Sequence, residues 1–219
     1  MHSVPRLTLT AVAVLFSVTA CTGLDEASAS SLTQDDLVSE LSSQLSTGST
    51  LTYGATYQLV GGETATINRA QRPARTAYDY PGGRLIVTTT STIRCTANDC
   101  TQSDPSPTAA AELPELITPE AVLGMLNTAA LDQDATAEQH DTTIAGRHAT
   151  CLDVNNVDGT RARRFGVCVT NEGALGSFTA TIGGTPVDLA LTSYSDKPDP
   201  AAFDPPQSAK LIDKRSTTR

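Results

Sequence analysis

Cysteine, histidine and clustered arginine hold whatever chemistry this 219-residue chain can perform. Outside the first twenty residues the histidines are His140 and His148. A Ser-His-Asp hydrolase would need one of them as base beside a G-x-S-x-G elbow, and no such elbow occurs. The segment Asp153 to Gly159 approximates a calcium loop, but its glycine falls one place late. Val157 stands at a ligand position, and Arg164 stands where the closing glutamate belongs, so a turn is the better reading. Gly61-Gly62, Gly82-Gly83 and Gly183-Gly184 punctuate strands and cradle no phosphate. Arg161, Arg163 and Arg164 could grip an anionic headgroup or an acidic partner; the exposed edge of a hairpin explains them equally well. No catalytic residue, metal site or cofactor is expected, and the chain reads as a non-enzyme.

Five cysteines set the compartment and the covalent frame. Arg6 precedes an apolar run, Leu9 to Val18, which ends in Val18-Thr19-Ala20-Cys21. A weakly basic start, a short apolar stretch and small residues at a cut describe an export signal too short to span a bilayer. With cysteine at the cut, the string resembles the lipobox of bacterial lipoproteins. That resemblance implies removal of residues 1–20 and acylation of Cys21, and several acyl chains exceed the threshold for stable anchoring. Residues 21–32 then form a small, polar tether. The expected location is the outer face of the cell membrane, lipid-anchored.

Residues 1–20 hold one arginine and no acid, so their removal takes the formal charge from −9 to −10. An acidic body argues against nucleic acid, whose phosphates require a basic face. The absence of Trp and an aromatic content of 4% argue against sugar-stacking platforms. Cys95, Cys100, Cys151 and Cys168 are an even set in an exported chain, hence two disulfides. Of three connectivities, Cys95–Cys100 with Cys151–Cys168 is expected, because each pair brackets a turn. The spacings do not fit paired C-x-x-C zinc ligands.

The elements that must position these groups follow from periodicity. Thr33 caps a helix whose stripe is Leu37, Val38, Leu41 and Leu45. Tyr53, Ala55, Tyr57 and Leu59 alternate with polar residues, as a half-buried strand does. Further strands are expected at 63–70, 75–80, 84–90 and 92–95, then a Pro/Ala/Ser/Asp-rich stretch at 101–117. Thr118-Pro119-Glu120 starts a second helix with Val122, Met125, Leu126 and Ala129 inward. Residues 132–141 read as a polar loop holding His140. From Thr142 strands resume, and a hairpin turning at Gly159-Thr160 would oppose residues whose numbers total 319, which sets Cys151 against Cys168. The region around Phe203 reads as extended, and 207–219 as a frayed polar tail. The fold class is α+β: a curved antiparallel half-barrel sheet wrapped over two helices.

This order resembles the lipoprotein-carrier superfamily of LolA-like carriers and LppX-like lipoproteins of actinobacteria. The residues that carry the resemblance are the opening helix with Tyr53 and Tyr57, the string Gly146 to Cys151, Val167-Cys168-Val169 with Glu172-Gly173, and Ala202 to Pro206. They span most of residues 33–206, the expected domain. The resemblance implies a hydrophobic cavity between sheet and helices and a lipid or acyl-chain ligand. Tyr53, Tyr57, Val87, Val122, Met125 and Leu126 are its candidate lining. The alternative is a protein-interaction or envelope-sensing module with a closed cavity and an as yet unspecified protein partner.

Overall fold

The computed structural model describes residues 33–97 and 99–216. Cys21, the signal segment and the tether lie outside the described residues. Helix α1 (Gln34–Gly48) opens on a reciprocal cap in which Thr33 accepts from the Asp36 N–H and Asp36 accepts from the Thr33 N–H. Six strands follow: β1 (Tyr53–Leu59), β2 (Thr64–Gln71), β3 (Ala74–Tyr80), β4 (Gly83–Thr88), β5 (Thr92–Thr96) and β6 (Asp99–Ser103). After α2 (Pro119–Ala129) come β7 (Thr136–Ile144), β8 (Arg147–Asn155), β9 (Phe165–Thr170), β10 (Leu175–Ile182), β11 (Thr185–Ser195) and β12 (Lys210–Asp213). They form one curved, unclosed sheet in the order β12-β6-β5-β4-β3-β2-β1-β11-β10-β9-β8-β7, antiparallel except for β12 on β6. The α+β half-barrel expected from the sequence is the observed architecture.

One pleat face of the sheet is apolar. Tyr53, Ala55 and Tyr57 of β1, Ile67, Tyr78, Leu85, Val167 and Phe178 join Val38, Leu41 and Leu45 of α1 and Val122, Met125 and Leu126 of α2 in a single core. The helices run antiparallel, the Ser42 hydroxyl donating to Asn127 Oδ1 at 2.5 Å. Helix α1 lies over β7, β8 and β9. Over the β3–β5 half the segment after β6 adds to the cover. It is irregular yet buries Ala109, Ala110, Leu113, Leu116 and Ile117, and the Ser106 N–H donates to Thr92 Oγ1 at 2.9 Å. In sequence it shows only as a Pro/Ala/Ser/Asp-rich stretch because no helical or alternating period marks those five apolar side chains.

Three further elements differ from expectation. The polar stretch 136–141 is most of edge strand β7; its side chains meet solvent, so the ladder to β8 alone makes it a strand and no alternation betrays it. The tail supplies β12, which pairs in parallel with β6, and the Ser216 N–H donates to Asp104. The 3₁₀ turn Pro200–Phe203 packs Ala202 and Phe203 against Ala77, Ile86 and Ile93 on the outer face, beneath the Arg75 guanidinium. A second, smaller core therefore sits behind the sheet.

The β8–β9 hairpin keeps the expected register with a different tip. Pairs run from Ala149–Thr170 to Val154–Phe165, and Cys151 opposes Cys168. The connection is not Gly159-Thr160 alone but the wider loop 156–164, which buries Val157 and Ala162 and closes through Val157 N–H to Arg163 O at 3.0 Å. A wider loop centred near the same point leaves the pairing total unchanged.

Candidate functional site

Thr118 fixes the geometry beneath the helices. It is fully buried, accepts from the Ala121 N–H and donates to Ala110 O at 3.1 Å. That cap, with Pro119 at the first helical position, aims Glu120 at β2. There Arg69 occupies an inward position in line with Ala65 and Ile67, and it is 8% exposed. Its Nη2 donates to Glu120 Oε1, and its Nη1 donates to Ser49 O at 3.3 Å. Tyr53, Tyr57 and Tyr78 surround the pair, and burial pushes all three phenols above the ordinary tyrosine value. Burial opposes the Arg69 charge, but Glu120 together with Tyr78 and Tyr53 outweighs it, so the guanidinium stays charged. The Tyr57 hydroxyl, Arg69 Nε and Glu120 Oε2 are buried without a hydrogen-bond partner.

Of the six residues expected to line a cavity, Tyr53, Tyr57, Val122, Met125 and Leu126 are packed as core. The void beside Tyr53, Arg69, Glu120 and Leu123 holds about 30 Å³, room for a water or two. Val87 packs against the edge of the same core, half-buried on the wall of an open groove of about 360 Å³ with Gln71, Thr76, Pro105 and Pro107. Arg69 borders both spaces. Sequence reasoning passed over Arg69 and Glu120; the available signal was a charged side chain on the apolar parity of a strand.

The arginine loop borders a wider groove of about 1070 Å³, floored by Phe165, Ala180 and Val187 and flanked by Asp153 and Asp188. Arg163 pairs with Asp158 at 3.1 Å. The Asp158 N–H donates to Asp132 Oδ2 at 2.7 Å, which ties the loop to the end of α2 and holds the Asp132 carboxyl below its ordinary value. Asp153 to Gly159 is thus a strand end and a loop, with Asp158 engaged by arginine.

Cys95 is bonded to Cys100 across β5–β6, and Cys151 to Cys168 across β8–β9. His140 opposes Cys151, whereas His148 opposes Thr143. An odd spacing along β8 separates those two positions, so the histidines stand on opposite faces and share no site. His140 lies on β7, not in a loop, with Nδ1 3.8 Å from Asp153 Oδ2.

These features define an α+β half-barrel with a packed interior and open grooves on its surface. Neither a protein-family model nor a curated protein matches the sequence. Among solved structures the chain is similar to an uncharacterised conserved protein from Thermus thermophilus, with TM-score 0.52 and 12% identity over 80% of this chain and 98% of that one. MucB in complex with MucA(peri) gives TM-score 0.47 and 13% identity over 80% of this chain and 61% of that one. The lipoprotein LppX of Mycobacterium tuberculosis gives TM-score 0.43 and 12% identity over 72% of this chain and 94% of that one. At 12% identity the Thermus likeness is one of fold. Among the described residues no helix is long and apolar enough to cross a membrane.

Proposed function

We propose that the protein is a non-enzymatic extracytoplasmic binder, anchored to the outer face of the cell membrane by acyl chains on Cys21, which holds a lipid or acyl chain against its half-barrel. The observation that carries this reading is the groove of about 360 Å³ at Val87. Its volume falls within the range of small-molecule sites. Val87, Ala70, Ala74, Pro105 and Pro107 supply its apolar part, Arg69 and Arg75 its positive charge, and among the described residues its wall carries no carboxylate. In a chain of net charge −9 such a wall suits an apolar chain or an anionic amphiphile. A second reading, a protein-interaction or envelope-sensing module with a closed interior, is favoured by the void of only about 30 Å³ under the helices. On that reading the groove at Arg161 and Arg164 is the contact surface.

Native mass spectrometry separates the two. The chain from Thr22, exported by a lipid-synthesising host, should carry a mass excess that denaturation releases as fatty acid or phospholipid. Val87→Trp, which fills the groove, should abolish the excess and leave the fold intact. A bare mass four daltons below the fully reduced chain, the signature of two disulfides alone, would favour protein interaction.

A further inference from the structure

The ladder joining β7, β8 and β9 sets His140, Cys151 and Cys168 in one row across the outer face. Their potential ligand atoms, one nitrogen and two sulfurs, lie within 4.8 Å of one another. Asp153 stands two residues along β8 on the same face, its Oδ2 3.8 Å from His140 Nδ1. His140 and Asp153 are open to solvent, whereas Cys151 is buried. The row is thus reachable from one side and backed by the sheet on the other. The Cys95–Cys100 bridge sits against Ala77, Ile86 and Ile93 instead.

Two thiolates and an imidazole are a zinc ligand set. Zinc binds sulfur at about 2.3 Å and nitrogen at about 2.0 Å, which in a tetrahedron spaces the donors roughly 3.3–3.8 Å apart. In the bridge the two sulfurs are bonded to each other, so neither is a thiolate able to serve a metal. We propose that reduction of Cys151–Cys168 unmasks a Cys₂His site for Zn²⁺ on the outer face of the sheet, with water in the fourth position. Asp153 is the positioning residue for the imidazole, as a carboxylate behind a ligating histidine commonly is.

The steps balance. A dithiol gives two electrons to the bridge and its two protons to the cysteine sulfurs, and itself becomes a disulfide. Zn²⁺ then displaces both thiol protons to solvent, and neutral His140 donates a lone pair. The bound site is electrically neutral, and uptake releases about two protons per metal. The backbone ladders on either side of Cys151 hold the row in register once the bridge is open.

The test uses the chain from Thr22, which lacks Cys21 and contains the whole compact unit from Leu32. It is titrated with Co²⁺ and Zn²⁺ before and after reduction by dithiothreitol and removal of the reagent. The oxidised protein should show no cobalt spectrum. The reduced protein should bind one Co²⁺ with tetrahedral d–d bands and sulfur charge transfer, and Zn²⁺ should displace it. His140→Gln should weaken Zn²⁺ at least about tenfold and shift the cobalt bands, and Asp153→Asn should weaken it about tenfold. Cys151→Ser with Cys168→Ser should abolish binding, whereas Cys95→Ser with Cys100→Ser should leave the cobalt spectrum unchanged. Hydrogen exchange over β8 and β9 reports folding throughout. A reduced chain that binds no metal, one that unfolds before metal is added, or a His140→Gln variant that binds as tightly as the parent would each overturn the proposal.

Discussion

Arg69 and Glu120 place a charge pair in surroundings otherwise built from tyrosine and aliphatic side chains. The arginine side chain is 9% exposed and its partner 30%, so the two removals are not equivalent. Glu120→Gln leaves a buried guanidinium without a counter-charge, and a loss of about 3 kcal/mol in urea unfolding is expected. The paired change Arg69→Met with Glu120→Leu should come out near neutral, because both desolvation costs vanish together. Tyr57 offers the opposite case. Its buried hydroxyl has no partner, so Tyr57→Phe should leave stability unchanged or raise it by up to about 1 kcal/mol. Glu172 links this scale to pH. Burial pushes its carboxyl up, but its own backbone N–H, the Thr170 hydroxyl and Arg147 together hold it below its ordinary value of 4.5. A carboxyl lowered by folding stabilises above its unfolded value and loses that contribution as pH falls through the folded one. Urea midpoints should therefore decline below about pH 4.5, and Glu172→Gln should flatten part of the decline.

At the scale of elements, caps and close approaches carry the architecture. Thr118 satisfies the Ala121 N–H and the Ala110 carbonyl from a fully buried position. Thr118→Ala should cost about 2 kcal/mol, a lost cap together with an orphaned carbonyl, measurable by denaturant midpoint. Where α1 ends, Gly48 meets Gly173 in the turn between β9 and β10. A Cβ on Gly48 would come within 2.0 Å of the Gly173 carbonyl oxygen, and Gly173 adopts a φ of +94°. Alanine at either position forces the helix off the sheet, so both variants should populate an expanded state with faster exchange in α1. Edge strand β7 protects itself in another way: its exposed polar and charged side chains discourage pairing with other chains.

For the molecule as a whole, the two disulfides constrain loops of unequal length. Cys151–Cys168 spans 17 residues and Cys95–Cys100 spans 5. Loop-closure entropy assigns about 3 kcal/mol to the longer and about 2 kcal/mol to the shorter. Cys151→Ser with Cys168→Ser should therefore lower the unfolding free energy by about 1 kcal/mol more than Cys95→Ser with Cys100→Ser. The sheet, open at β7 and β12, is clamped at its middle by β1 on β11, a pairing that, like β12 on β6 at the edge, joins a strand before α2 to one after it. Its partners lie more than a hundred residues apart, so it must form late, after each meander has ordered locally.

Local rules left clear marks in the chain. Thr33 and Thr118 announce both helices, alternation assigns Tyr53, Tyr57 and Phe178 to the inner face, and the numbering of the β8–β9 hairpin sets Cys151 opposite Cys168. Helix caps, strand periods and hairpin register act over a few residues, so composition and spacing are enough to reveal them. Other features arise only from partners distant in sequence. Strand β7 exists because β8 offers it a ladder, β12 because β6 does, and the apolar residues of 109–117 are buried because they add to the cover of the inner face. The Arg69–Glu120 pair and the row of His140 beside the bridge belong to the same class. Long-range pairing decides them, since a polar strand, an unpatterned apolar segment and a lone histidine carry no local period of their own.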